Sequence, residues 1–392
     1  MPSADSRLLI VDDNDDNRYT LTRRLRREGY SQLVFATNGR EALDALRDQK
    51  IDLVLLDIMM PDMNGYQVLE RMKADTRLRD IPVVMISAVD EIDSVVRCVE
   101  LGADDYLPKP FNATLLRARV GASLEKKRLR DAVARHAARM EEELTAARAI
   151  QLGMVPTEFP PVSAEFPVDI YAILHPAYEV GGDLYDFFLC DDHTLCLVIA
   201  DVSGKGAAAA LFMARVKSLI RTVATLLARA DGHPVQPAKI VVQVNEELCS
   251  GNPGLMFVTA FVATLDLRNR TLSYCNAGHN CPYVLGADGN ALSMLSGARG
   301  KLLGVRADGQ YATHSCVLGR GETLFFYTDG ITEAENAAGE FFEEARLETG
   351  LRAAAGRDAK GVVETVVSAV RTFAAGARQS DDIAAIGLRI PA

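Results

Sequence analysis

LVLLDIMMPDMNGYQVL, residues 53–69, decides the fold of the N-terminal part of the chain. Its first four residues are apolar, which is typical of a strand buried on both faces of a parallel sheet. Pro61 and Asn64-Gly65 then mark the turn into an amphipathic stretch. Similar strands, separated by helix-like segments, are predicted at Arg7–Val11, Gln32–Phe35, Ile51–Leu56, Ile81–Ile86 and Asp105–Leu107. This alternation predicts an α/β fold, a doubly wound parallel sheet with helices on both faces.

Polar residues follow the predicted strands of this sheet. Asp12 and Asp13 end the first strand, Asp57 ends the third, Ser87 follows the fourth and Lys109 follows the fifth. Because the carboxyl ends of parallel strands meet at one edge, we expect these side chains to converge. Clustered carboxylates suit a hard cation such as Mg²⁺. One of them could then act as a nucleophile toward a phosphoryl group, whose oxygens the hydroxyl and the ammonium would hold.

Four stretches resemble the receiver domain of two-component response regulators: LLIVDD, LVLLDIMMPDMNGYQVL, IPVVMISA and GADDYLPKPF. The resemblance implies a flavodoxin-like receiver domain over residues 1–122, a sensor histidine kinase as partner, and a cis peptide before Pro110. The alternative is a receiver that cannot be phosphorylated, but such a domain usually lacks one of the acids or the lysine, and none is missing here. The implied roles are phosphoacceptor for Asp57, Mg²⁺ binding for Asp12, Asp13 and Asp57, and switching for Ser87, Tyr106 and Lys109.

The composition limits the other functions open to the chain. Its formal net charge of −10 argues against sequence-independent binding of nucleic acid, which needs a basic face. The seven cysteines are scattered and form no CxxC pair, so they suggest reduced thiols rather than a zinc site or disulfides. The chain shows no signal peptide and no apolar run long enough for a membrane span, so we expect a cytoplasmic protein that does not engage a membrane.

Residues 112–154 contain no proline and only two glycines, and they predict a helical linker, centred on residues 123–150. Residues spaced alternately by four and three form a heptad seam: Val133, Ala137, Met140, Leu144, Ala147, Gln151 and Met154. The seam predicts a coiled coil that joins two chains into a homodimer. Two alanines and a glutamine make the seam weak, which would let it switch. The alternative is a surface helix that packs on its own domain.

After Pro156 the pattern becomes that of an α+β domain over residues 151–392. Strands are predicted at Thr194–Asp201, Leu255–Asp266, Leu272–Asn276 and Thr323–Tyr327. Helices are predicted at Ala207–Ala230, Pro237–Cys249 and Lys360–Ala374.

Four carboxylates stand out in this domain: Asp183 in EVGGDLYD, Asp201 in IADVSGKG, Asp329 in FFYTDGITEAEN and Asp381 in RQSDDIAAI. Three of them follow or interrupt apolar runs, where an uncompensated charge is costly. A pair of divalent cations would offset that cost, generate a hydroxide nucleophile and clamp a phosphoryl group. Any one Asp-Gly motif alone is more simply a turn. The occurrence of four such motifs favours a metal site.

These motifs, together with AIQLGMVP, CNAGHNCPYVL and ITEAENAAGEFFEEARL, look like the SpoIIE/RsbU-like branch of the PPM (protein phosphatase 2C-type) family. The resemblance implies an αββα sandwich with two Mn²⁺ or Mg²⁺ ions, and in-line hydrolysis of phosphoserine or phosphothreonine without a covalent intermediate. Asp183 would bridge the ions, and Asp201 with the carbonyl of Val202 would bind one of them. Asp329 and Asp381 would bind the other.

Several residues of this domain leave alternatives open. Asp382 lies where the family often has Asn or Asp, and it ranks behind Asp381 as a ligand. The family commonly has Thr at the position of Ala384 and often His at that of Lys205. Lys205 could meet substrate phosphate or be a solvated loop lysine. His279 is interpreted as a structural loop histidine, the alternatives being a ligand or a proton donor.

We expect phosphorylation of Asp57 to change the receiver surface near Tyr106, to alter the pairing of the central helix and to activate the phosphatase. By resemblance, the substrate is a phosphorylated anti-sigma factor antagonist. One alternative is a non-catalytic adaptor that uses the phosphatase fold to bind a regulatory protein, although an adaptor could lose its metal ligands freely. Another is a DNA-binding regulator, but no helix-turn-helix pattern follows the basic run at Lys126–Arg130.

Overall fold

A computed structural model describes residues 5–87, 92–158, 166–231, 235–297 and 299–392 of the chain. The chain divides into two units, Met1–Met140 and Glu141–Ala392. Among the described residues, no helix combines the length and the apolar character that crossing a bilayer requires.

The first unit alternates strands and helices, as the sequence predicts. Its strands are β1 (Arg7–Val11), β2 (Gln32–Ala36), β3 (Leu53–Asp57), β4 (Val83–Ser87) and β5 (Asp105–Pro108). Its helices are α1 (Asp15–Arg27), α2 (Gly39–Asp48), α3 (Gly65–Ala74), α4 (Ile92–Glu100) and the first part of α5 (Ala113–Met154).

The five strands form one parallel sheet in the order β2-β1-β3-β4-β5. Both faces of this sheet are covered: along β1, Leu9 belongs to one buried cluster and Leu8 to the other. All five predicted strands are present with ends shifted by at most two residues. The expected doubly wound, flavodoxin-like fold is confirmed.

The second unit contains ten strands and five further helices among the described residues. The strands are β6 (Asp169–His175), β7 (Leu184–Leu189), β8 (Thr194–Val202), β9 (Val258–Asp266), β10 (Thr271–Ala277), β11 (Tyr283–Leu285), β12 (Leu292–Met294), β13 (His314–Val317), β14 (Thr323–Tyr327) and β15 (Ile383–Arg389). The helices are α6 (Ala207–Asp231), α7 (Pro237–Cys249), α8 (Asp329–Thr332), α9 (Glu343–Ala353) and α10 (Ala359–Ala374).

These strands form two antiparallel sheets, β13-β10-β9-β8-β7 and β12-β11-β14-β15-β6. Alternation along β9 shows how they pack: Phe261 enters the cluster between the sheets, whereas Val262 enters the cluster beneath α6 and α7. Phe261 meets Phe326 of the other sheet edge to face, with ring centroids 5.7 Å apart. Helices α9 and α10 cover the second sheet. The expected αββα sandwich is confirmed.

Helix α5 begins after Asn112, whose side chain accepts the N–H groups of Thr114 and Leu115. The predicted seam is exposed in its N-terminal half, where Val133 is 70% and Met140 64% exposed. Gln151 is different, because it is 4% exposed and packs within the second unit. Its assignment to a seam that faces another chain is therefore corrected: the Gln151 side chain packs inside its own unit, where it hydrogen-bonds Gly181.

Candidate functional site

The carboxyl ends of β1 and β3 bring the receiver acids together. Carboxylate oxygens of Asp12, Asp13 and Asp57 lie within 4.8 Å of one another. Lys109 Nζ lies 3.0 Å from Asp12 Oδ2 and 2.9 Å from Asp57 Oδ2. This oxygen cluster fits a hard cation such as Mg²⁺.

Burial and charge set the protonation states in this cluster. Burial raises the pKa of Asp57, and the hydrogen bond from Lys109 opposes that rise. Burial alone would lower the pKa of Lys109, but its hydrogen bonds to Asp57 and Asp12 reverse the effect and raise it. The arrangement keeps the lysine charged beside the predicted phosphoacceptor, where it can hold a transferred phosphoryl group.

The remaining receiver residues lie around the same edge. Ser87 is the buried last residue of β4, Tyr106 is half-buried in β5, and the Lys109–Pro110 peptide is cis. Gly65, at the start of α3, packs directly on the backbone of Asp57. A Cβ at this glycine would lie 2.3 Å from the Asp57 carbonyl oxygen, so only glycine lets the loop close over the phosphoacceptor.

In the second unit, the two sheets each bring acids to one edge. The pairing of Leu184 with Ala200 places Asp183, just before β7, next to Asp201 in β8. Asp329 begins α8 directly after β14, and Asp381 comes shortly before β15, the strand that pairs with β14.

Asp183 is the most deeply buried of the four, at 2% exposure. Thr328 Oγ1 donates a hydrogen bond to Asp183 Oδ2 at 2.6 Å. Burial, and then the charge of Asp201, raise the pKa of Asp183. The carboxylate is therefore held in place, while no lysine, arginine or histidine among the described residues forms an ion pair with it.

The neighbouring acids show the same excess of negative charge. Burial, followed by the charges of Asp329 and Asp381, raises the pKa of Asp201 to about 7. Burial and the charge of Asp381 raise the pKa of Asp329. Among the described residues, no three of these acids approach within the 4.8 Å that the receiver trio shows. These acids are therefore more widely spaced than the receiver trio. Cations bound between them would offset their mutual repulsion.

Two local features fit divalent cations. Lys205 Nζ lies 3.1 Å from Asp381 Oδ2, so this carboxylate already pairs with a positive charge. A Cβ at Gly182 would lie 2.6 Å from the carbonyl oxygen of Val202. The missing side chain at Gly182 therefore leaves room for this carbonyl beside the acids. The candidate ligand atoms are all oxygens, which Mg²⁺ and Mn²⁺ prefer.

Asp382 has a role that the sequence did not reveal. Its Oδ1 accepts the N–H of Ala177 at 2.8 Å, and its Oδ2 accepts those of Gly182 at 2.7 Å and Asp183 at 3.3 Å. It is buried, whereas the Asp381 side chain is 40% exposed. Asp382 therefore anchors the loop that carries Asp183, which supports ranking it behind Asp381 as a metal ligand.

His279 is buried beneath this edge of the domain. Its Nδ1 lies 2.8 Å from Thr259 Oγ1, and Asn276 binds its backbone N–H and carbonyl. Burial lowers the pKa of His279 to about 4. A neutral, enclosed imidazole supports the interpretation as a structural loop histidine.

The family model described as "Stage II sporulation protein E (SpoIIE)" matches residues 191–391, just over half of the chain. The chain belongs to the SpoIIE family. A response regulator receiver domain model matches residues 8–121. This SpoIIE-family chain thus joins a two-component receiver domain to a phosphatase domain of the protein phosphatase 2C type.

Solved structures share the fold of the second unit. The SiaA-PP2C domain of Pseudomonas aeruginosa superposes with a TM-score of 0.56 at 24% identity, covering 65% of this chain and 98% of that domain. The PP2C phosphatase domain of SpoIIE from Bacillus subtilis, solved with a fragment of its regulatory domain, gives a TM-score of 0.50 at 16% identity. That match covers 57% of this chain and 64% of the solved one. These likenesses establish the fold alone.

Curated relatives match parts of the chain. Protein IcfG of Synechocystis is 33% identical over 227 residues, which are 52% of this SpoIIE-family chain and 35% of IcfG. The probable transcriptional regulator ycf27 of Cyanidium caldarium is 42% identical over 125 residues, which are 32% of this chain and 49% of that protein. The chain therefore spans half or less of the length of these relatives.

Proposed function

We propose that this chain is a phosphorylation-controlled response regulator whose second unit hydrolyses phosphoserine or phosphothreonine on a protein. The observation that carries the proposal is the group of acids around Asp183, in which burial and like charges raise the pKa of Asp183, Asp201 and Asp329. Strongly shifted acids in one site favour a functional role over a structural one.

Asp183 would contact both of two Mn²⁺ or Mg²⁺ ions. Asp201 and the carbonyl of Val202 would hold one of them, and Asp329 and Asp381 would hold the other. Such a pair supplies a nucleophile at neutral pH and neutralises the phosphoryl oxygens. The chain's own contribution is to orient these ligands. Thr328 fixes the Asp183 carboxylate, and Asp382 fixes the loop that carries it.

The proposed control begins at Asp57, which a sensor histidine kinase would phosphorylate with help from Mg²⁺ at Asp12 and Asp13. Ser87, Tyr106 and Lys109 would respond to the phosphoryl group. Pairing of α5 helices in a homodimer would then carry the change to the phosphatase and activate it. The proposed substrate is a phosphorylated anti-sigma factor antagonist.

The first test is hydrolysis of para-nitrophenyl phosphate and of a phosphoserine peptide with and without Mn²⁺. Asp183→Asn is expected to lower the metal-dependent rate by at least about 100-fold, since a ligand rather than an outer-shell partner is altered. The matched control is Asp191→Asn, in an exposed turn where an amide oxygen still accepts the N–H groups of His193 and Thr194. Metal-independent hydrolysis would contradict the proposed metal mechanism, and absent hydrolysis of both substrates would contradict the proposal and favour the adaptor.

A second measurement gives the sign of receiver control. Beryllofluoride, which mimics a phosphoryl group on aspartate, is expected to raise the phosphatase rate and the dimer fraction together. If both quantities stay unchanged in beryllofluoride while the enzyme is active, the coupling through α5 is wrong.

A further inference from the structure

The loop between β6 and β7, residues 176–183, carries Asp183 and is held from two sides. On one side, Asp382 accepts the backbone N–H groups of Ala177, Gly182 and Asp183. On the other side lies the last part of α5. Both sides belong to the second unit, so the contacts are internal to the catalytic fold.

Gln151 makes the contact from α5. Its Nε2 donates to the carbonyl of Gly181 at 2.6 Å, and its Oε1 accepts the N–H of Gly181 at 3.1 Å. The side chain is 4% exposed, so water does not compete for these bonds. The primary amide therefore satisfies both backbone groups of one loop residue, two positions before Asp183, and a carboxylate or a methylene chain could not do the same.

The fit around Gly181 is tight. A Cβ at this position would lie 1.8 Å from Asp382 Oδ2, so the loop backbone is wedged between Asp382 and Gln151. One turn earlier on α5, the Arg148 guanidinium donates to the carbonyl of Tyr178 at 3.3 Å. Two side chains of α5, three residues apart and so on one face of the helix, thus hold the same loop.

We infer that Gln151 is a positioning residue, which fixes the position of Asp183 by holding Gly181. The packing of the last turn of α5 against this loop therefore affects the geometry of the metal site. The catalytic part of this inference rests on the proposed function. The same helix bears the exposed seam residues Val133 and Met140. A signal that shifts the last turn of α5 acts on the two Gln151 hydrogen bonds. Through these bonds the linker helix acts on the loop that carries Asp183.

The test compares Gln151→Glu, which keeps the shape but replaces the amide donor by an oxygen, with Gln151→Asn, which keeps the amide but shortens its reach. The control is Ile150→Ala, the adjacent residue, whose side chain is 70% exposed. The full-length chain is used throughout, and far-ultraviolet circular dichroism confirms that each variant is folded.

Three quantities are measured: hydrogen exchange of the peptide covering residues 176–183, Mn²⁺ affinity by calorimetry, and kcat and KM for para-nitrophenyl phosphate at increasing Mn²⁺. Both Gln151 variants are expected to speed exchange in this peptide and to weaken Mn²⁺ binding by about 10–100-fold, the range for outer-shell partners of metal ligands. At saturating Mn²⁺ the KM should change less than about twofold while kcat falls, since the group held by Gln151 acts on the metal ligand and not on substrate binding.

Parent-like exchange and Mn²⁺ affinity in both variants would overturn the inference. If only kcat changed, with exchange and affinity unaltered, Gln151 would not act through the loop and the inference would also fail. Should the parent chain itself show no phosphatase activity, the exchange and calorimetry would still decide the role of Gln151. Failure of the proposed function and failure of this inference are therefore distinguishable.

Discussion

Thr328 Oγ1 lies 2.6 Å from Asp183 Oδ2 and, from its other side, accepts the backbone N–H of Ala384 at 2.9 Å. Because the Ala384 amide occupies a lone pair of the hydroxyl, the hydroxyl proton is free to point at Asp183. The bond therefore links β14 and β15 to the loop before β7 and orients the Asp183 carboxylate. It also favours the ionised form of Asp183, since the carboxylate is the acceptor.

Replacing Thr328 by valine removes this donor without changing the shape of the side chain. A buried hydrogen bond to a charged group contributes about 1.5–3 kcal/mol, so kcat is expected to fall by about 10–100-fold. Thr328→Ser, which keeps the hydroxyl, should retain most of the rate. Thr225→Val is the control, since its hydroxyl donates to the carbonyl of Arg221 one turn earlier in α6, away from the acids. Parent-like turnover in Thr328→Val would show that Asp183 needs no such orientation.

The receiver allows a chemical prediction at Asp57. Incubation with a small phosphodonor and Mg²⁺ should phosphorylate the parent chain, and Asp57→Asn should abolish the modification, because an amide is not a nucleophile toward phosphorus. The modified form is measured by phosphate-affinity electrophoresis. Asp62→Asn is the matched control, since Asp62 is an exposed residue of the following loop with φ 65°, which asparagine tolerates. Modification that persists in Asp57→Asn would move the phosphoacceptor elsewhere.

How much the sequence predicts depends on how local the signal is. The buried strands β1, β3 and β4 are largely apolar runs; Asp12 directly follows the first, and Asp57 and Ser87 end the other two. Both the strands and the polar residues at their ends can therefore be recognised in the sequence. Strand β15 has the sequence IAAIGLR, in which small residues hide the strand pattern, and it was not predicted. The short strands β11 to β13 have only three or four residues each and were missed for the same lack of signal.

The candidate site divides in the same way. The acids of the proposed metal site stand in recognisable motifs, but the residues that support them do not. Asp382 and Gly182 are 200 positions apart, and Gln151 and Gly181 are 30 apart. A hydrogen bond between a side chain and a distant backbone amide leaves no periodicity in the sequence. In the heptad pattern Gln151 occupies a seam position, and only the structure shows that its amide turns toward the catalytic loop.

The buried His279 makes stability depend on pH. Burial lowers its folded-state pKa to about 4, below the ordinary value of about 6.5. Between these values the unfolded chain binds a proton that the folded chain does not. The histidine's contribution is therefore fully present above about pH 7, is lost as pH falls toward 4, and changes no further below that.

This loss should lower the free energy of unfolding by on the order of 1–3 kcal/mol between pH 7 and pH 4.5. Urea unfolding followed by circular dichroism measures it. In His279→Asn, which retains an acceptor or donor near Thr259, the dependence on pH should be shallower over the same window. His136→Asn, at an exposed position of α5, is the control and should keep the parent slope. Equal slopes in parent and His279→Asn would refute the assignment.

Two positively charged side chains beside the acids, those of Lys205 and Arg378, predict where a phosphoprotein binds. Tyr178 is 38% exposed, with Lys205 Nζ 5.8 Å and the Arg378 guanidinium carbon 5.3 Å from its ring centroid. Lys205 also contacts Asp381. Within the described ranges, no carboxylate forms an ion pair with Arg378. A guanidinium held over an aromatic ring and free of an acidic partner is well suited to bind phosphate or an acidic side chain.

Arg378→Ala is therefore expected to raise KM for a phosphoserine peptide by about 5–20-fold, the loss of one charge-assisted hydrogen bond at a partly exposed site. For para-nitrophenyl phosphate, which has no peptide flanks, the rise in KM should be smaller, and kcat should stay close to that of the parent. Arg229→Ala, on an exposed position of α6, is the control. If the peptide and the small substrate respond equally, Arg378 meets the phosphoryl group itself; if neither responds, Tyr178 and its two cations lie outside the path of the substrate.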